Sequence, residues 1–154
     1  MKSSFWGLLV LVSAFSTASA QVVEFRGGRF ITNVTADCPP YLFNGFFFDT
    51  RYRPPGLGDN DSATRLGLFS TFFSQSYVLE SGQLSDTFKT VQGGRTSLAT
   101  HLFQAQMRVT SQTPGRIDTK TKSVYLAGQI KNFEDTSGCR VNFQVSMTRS
   151  PSYP

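Results

Sequence analysis

Residues 140–149, RVNFQVSMTR, alternate without a break: Val141, Phe143, Val145 and Met147 fall on one side, and Arg140, Asn142, Gln144, Ser146 and Thr148 on the other. Successive side chains of an extended chain point to opposite faces, so a period of two predicts a strand with one dry and one wet face. That polarity is typical of antiparallel sheets. The preceding segment, Ser123 to Phe133, sets Val124, Leu126 and Ile130 on one face, and Glu134-Asp135-Thr136-Ser137-Gly138 supplies a connection. Together they predict a long closing hairpin.

The same pattern recurs upstream. Phe43 to Arg53 places Phe46, Phe48, Thr50 and Tyr52 against Phe47, Asp49, Arg51 and Arg53, with the first set inward. Thr64 to Phe73 reads as one strand, with Leu66, Leu68 and Phe72 against Phe69 and Phe73. Tyr77-Val78-Leu79 and Leu84 to Val91 predict a hairpin about Ser81-Gly82, and Gly93-Gly94 a further turn. Val22 to Val34 opens the domain, with a bulge or bend expected at Gly27-Gly28. Ser97 to Thr110 is readable as a helix start through Leu98, Leu102 and Ala105, but its alternation favours a strand from about Leu102. Pro39-Pro40, Pro54 to Asp61 and Thr113-Pro114-Gly115 break the chain between these runs. The predicted fold is all-β: an antiparallel sandwich or a small barrel of about seven to eight strands.

The amino end carries a different signal. Lys2, the apolar run Phe5 to Val12 and the small-x-small stretch Ala18-Ser19-Ala20 match a cleavable secretory leader of residues 1–20. A membrane span needs roughly 20 apolar residues, and Ser13, Ser16 and Thr17 interrupt this run early. The expectation is one exported domain, residues 21–154, secreted or periplasmic. The brief basic start suits a bacterial export leader; the sequons at Asn33 and Asn60 matter only in a eukaryotic source. Loss of Lys2 lowers the formal net charge from +5 to +4 and loss of Trp6 removes the only tryptophan. An immunoglobulin core and a lipocalin-like barrel both lose their usual Trp landmark with it. In an exported chain the two cysteines, Cys38 and Cys139, are expected to pair as a structural disulfide.

Chemistry-bearing residues are sparse. His101 is the only histidine, no Gly-x-Ser-x-Gly motif occurs, and Cys38 and Cys139 lack companions for a metal set. The tip Asp59-Asn60-Asp61 reads as a turn, without the later ligands of a calcium loop. No cofactor and no metal are expected. Lys and Arg are scattered along the chain, which does not predict a nucleic-acid partner. The surplus is aromatic: of 15 phenylalanines only Phe5 and Phe15 fall in the leader. Where Phe46, Phe47 and Phe48, or Phe72 and Phe73, adjoin in a strand, the rings cannot all face one way. They are the expected ligand or partner surface. The leading expectation is a non-enzymatic exported binding or interaction module, with an envelope protein, an apolar ligand or a polysaccharide as partner. Two alternatives stand beside it. One is a small hydrolase built on His101 or on carboxylates among Asp49, Glu80, Asp86, Asp118 and Glu134. The other is an eight-stranded outer-membrane barrel, whose outward faces must be apolar over roughly 25 Å.

Overall fold

A computed structural model describes residues 22–44, 47–57, 62–70, 74–96 and 100–151. Eight strands follow in order: β1 (Phe25–Val34), β2 (Phe47–Arg53), β3 (Thr64–Phe69), β4 (Ser74–Leu79), β5 (Lys89–Thr96), β6 (Thr100–Thr113), β7 (Ser123–Lys131) and β8 (Arg140–Arg149). Each pairs antiparallel with the next, and β1 also pairs with β8, closing an up-and-down barrel. Of the two expected architectures, the barrel is therefore the one formed. Phe25 shows the closure in a single residue, lying opposite Tyr52 of β2 and Arg149 of β8. Closure leaves no unpaired edge in the sheet.

The alternation of β8 survives intact. Val141, Phe143, Val145 and Met147 are buried, whereas Arg140, Gln144, Ser146 and Thr148 are exposed. β2 behaves likewise, with Phe48, Thr50 and Tyr52 inward and Asp49, Arg51 and Arg53 outward. An eight-stranded barrel has an interior just wide enough for side chains to fill. Here Phe25, Phe48, Tyr77, Leu126 and Phe143, all fully buried, are among those that fill it. An apolar lumen inside a polar wall is the reverse of the polarity of a lipid-spanning barrel.

Three expectations about the strands are corrected. Thr64 to Phe73 is not one strand. β3 ends at Phe69 and β4 starts at Ser74, the two pairing from Thr64↔Leu79 to Phe69↔Ser74. That reversal is imposed by sheet pairing, since Ser70-Thr71-Phe72-Phe73 contains neither Gly nor Pro to announce it. Nor do Gly93 and Gly94 form a turn. They lie inside β5, where Gly93 faces Phe103 across the β5–β6 ladder. A Cβ on Gly93 would stand 2.3 Å from the Phe103 ring, so the missing side chain is the space that ring occupies. Lastly, Gly27-Gly28 is not a bulge. Pairing runs unbroken through both on each side, and a Cβ on Gly27 would meet the Ser146 carbonyl oxygen at 2.0 Å. The ladder shifts register instead between Ile31 and Asn33 and between Val109 and Ser111. The hairpin expected about Ser81-Gly82 does form between β4 and β5, though with the wider connection 80–88. β6 confirms the strand reading and extends it to Thr100–Thr113.

Cys38 and Cys139 form the expected disulfide, with Cα atoms 4.5 Å apart. It staples the β1–β2 connection to the β7–β8 connection across 101 residues of sequence. In the chain-entropy model a loop of that length contributes on the order of 4–5 kcal/mol.

Filling the Gly93 space should unsettle the core. Gly93→Ala is expected to cost about 1–3 kcal/mol in urea denaturation, the range for overpacking. Adding Phe103→Leu in the same chain should recover part of that loss if the ring is the obstacle.

Candidate functional site

Buried rings and aliphatic chains occupy the lumen, and two grooves among the described residues lie on the outer wall. On the wall, β4, β5 and β6 frame an open groove of about 530 Å³. Val78 on β4, Thr90 and Gln92 on β5, and Leu102 and Gln104 on β6 line it, with Glu80 and Ser81 at one end. Register explains the line-up: Val78 stands opposite Gln92, and Gln92 opposite Gln104, so the three form a row across the strands. Leu102 is 59% exposed, far more than any other large apolar side chain of the described residues. It stands opposite Gly94, which offers no side chain to cover it. The groove therefore has apolar side chains flanked by amides and hydroxyls, and a single carboxylate.

One mouth is closed by the β7–β8 connection. Inward positions of β7 are Val124, Leu126, Gly128 and Ile130, so continued alternation would send Phe133 outward. Asn132 prevents this by adopting a left-handed conformation (φ 54°, ψ 46°), which Asn tolerates better than most residues. Phe133 then turns over the mouth, stacked on Tyr77 with centroids 6.3 Å apart and edge-on to Phe48 at 6.5 Å. Glu134 and Asp135 are left-handed as well, at φ 54° and 60°. Such positions cost of order 1–3 kcal/mol each and persist only when surroundings hold them.

Glu134, one of five candidate carboxylates in the sequence, is the one that the fold sets apart. Its carboxyl is buried: Oε2 meets the Tyr41 hydroxyl, while Oε1 has no hydrogen-bond partner. Burial disfavours the charged form and pushes its pKa up to about 7. The only sequence signal is the Asn132-Phe133 pair, which places a turn former before an aromatic at the end of a strand. Beside it, exposed His101 bonds Asp135 through Nε2 at 2.9 Å and stacks on Phe103. Tyr41 belongs to a 3₁₀ turn, Pro40–Asn44, next to the disulfide.

Of the sequence-predicted aromatic surface, the described side chains include Phe48 alone. Phe48 is fully buried in the barrel and belongs to the core. Phe47 lies in β2 opposite Phe30, its side chain outside the described residues; Phe46, Phe72 and Phe73 also lie outside them, as do Asp59 and Asp61. The carboxylates do not converge. Asp49 is on the wall, Glu80, Asp86 and Asp118 lie in connections at one end, and Glu134 sits at the other. Asp118 is engaged locally, accepting from the backbone N–H groups of Lys120 and Thr121, which hold its carboxyl below the usual range. Among the described residues no three His, Cys, Asp or Glu side chains come together as a metal set. No family model matches the chain, and neither the curated proteins nor the solved structures yield a match.

The raised Glu134 carboxyl has a definite pH signature. A folded state that holds this proton more tightly than the unfolded chain gains stability below about pH 4.5 and loses it as pH rises towards 7. Thermal midpoints should therefore fall across that window in the native chain. In Glu134→Gln the fall should be smaller, and at pH 8 the variant should melt higher than the native chain.

Proposed function

We propose that the protein is a non-enzymatic, exported interaction module that docks a partner protein in the β4–β6 groove. The observation that carries this reading is Leu102: a leucine 59% exposed, set in a groove on a barrel whose interior is already filled. An apolar centre within a polar rim is the usual anatomy of a protein interface. A sugar site is less well served, because the only ring among the lining residues, Phe103, is buried in the lumen. Export is supported by the leader-like residues 1–20 and by the disulfide, since such bonds persist in oxidising compartments. The polar outer face of β8 and its apolar inner face argue for a barrel in water, against the membrane-spanning alternative.

Photo-crosslinking tests the docking face. A photoreactive residue at position 102 or 78, expressed in the native host, should give one discrete adduct shared by both positions. The same residue at Ser146, on the wall at β8, should give none. Adducts of equal pattern at all three positions, or none at any, would rule the groove out.

A second reading, the small hydrolase, has the mouth in its favour. A carboxyl poised near neutrality is suited to proton transfer, and Asp135, in the same connection, bonds His101 of β6. If a hydrolytic activity is found in a substrate screen, both Glu134→Gln and His101→Ala should abolish it. Activity that survives either change removes this reading.

A further inference from the structure

The cations that look scattered in sequence are gathered by the fold. Among the described residues, eleven of the 14 Lys and Arg (15 less Lys2) lie in the eight strands, whereas Asp49 is the only one of the eight Asp and Glu (ten less Asp59 and Asp61) to do so. The other described acids stand before β1 or in the connections. The strands therefore make a basic wall between ends that hold the acids.

The concentration is greatest on β1–β3. Arg26 stands directly opposite Arg51, and Arg53 directly opposite Arg65. All four side chains are exposed. Like charges facing across a ladder repel, and Glu24 supplies a counter-charge to one member of each pair. Their arrangement is also ordered. Glu24, largely buried, accepts from Arg26 Nε at 2.6 Å and from Arg53 Nε at 2.8 Å. Burial works against its charge, but the two guanidinium bonds hold the Glu24 carboxyl below its ordinary range. Both bonds are made through Nε, one to each carboxylate oxygen. The third guanidinium, of Arg51, lies 4.8 Å above the Phe69 ring. Between them opens a groove of about 420 Å³, lined by Arg26, Arg51, Phe69 and one acid, Asp49.

We infer that this arginine cluster is a binding site for an anionic polysaccharide, with the terminal guanidinium nitrogens of Arg26, Arg51 and Arg53 taking the carboxylate or sulfate groups of its sugars. Arginine forks match such planar oxyanions in a bidentate way that lysine does not. A flexible polymer suits the wall better than a membrane does. Arg108 and Lys131 lie over Phe88 on the β6–β7 side, 4.6 and 3.7 Å from its centroid, and Lys131 faces Arg140 across β7–β8. A chain can follow the curved surface from one set to the next, whereas a flat bilayer meets one side only. This site is separate from the β4–β6 groove and stands or falls without it.

Affinity electrophoresis of the purified protein tests the inference, with polygalacturonate, dextran sulfate or uncharged dextran in the gel. Either charged polymer should retard the protein, with retardation falling steeply as salt rises; the stronger of the two identifies the preferred anion. Uncharged dextran should have no effect. Arg51→Gln, which leaves the Glu24 bonds intact, should weaken binding at least about fivefold, as loss of a charge-assisted contact implies. Arg53→Gln should weaken it similarly. Lys120→Gln with Lys122→Gln removes two charges from an exposed connection and should change binding less than about twofold. Leu102→Ser should not change it. Equal weakening by the arginine and lysine variants would mean bulk charge and overturn the site. So would the absence of binding to either charged polymer, or tighter binding to phosphatidylglycerol vesicles or to single-stranded DNA.

Discussion

The pairing of β1 with β8 is the constraint on which the remaining architecture rests. Nine registered pairs, from Phe25↔Arg149 to Val34↔Val141, join the first strand to the last and turn an open meander into a closed wall. Such long-range contacts are costly in chain entropy, and the Cys38–Cys139 bond lies where it offsets that cost, just beyond the Val34↔Val141 end of the ladder. Closure fixes one face of every strand as interior. It also demands that backbones approach closely, which is why Gly27 sits against the Ser146 carbonyl where another residue would clash.

Closure also directs where function can reside. A lumen packed with rings and aliphatic chains offers a ligand little room, so recognition moves to the outer surface. There the eight strands provide distinct neighbourhoods: neutral and partly apolar on β4–β6, cationic on β1–β3. Only strands that are adjacent in the closed sheet can share a groove, and the ladder decides which side chains form a row. Leu102 is exposed because its ladder partner is Gly94, and Arg51 is held because Phe69 packs beneath it.

The mouth at the β7–β8 connection obeys a third logic. Three left-handed residues re-aim the chain so that Phe133 covers the lumen and Glu134 is buried beside Tyr41. Strain, desolvation of a carboxyl and an unpartnered oxygen are tolerated together in a few residues. Consistent local choices elsewhere in the fold supply the stability that this segment gives up.

By itself, the sequence determined that the chain is built of antiparallel strands, which faces of β2, β7 and β8 are dry, and that Cys38 and Cys139 pair. Those properties follow from the two-residue period of an extended chain and from the count of cysteines, both local or compositional. Barrel rather than sandwich was decided only in three dimensions, because alternation records which face is buried and not whether the first strand meets the last. The turn between Phe69 and Ser74, the place of Gly93 inside β5 and the burial of Glu134 were likewise hidden. Each depends on a cross-strand neighbour far away in sequence. So do the arginine cluster and the Leu102 groove, whose members come from three strands each and are brought into one row by the register alone.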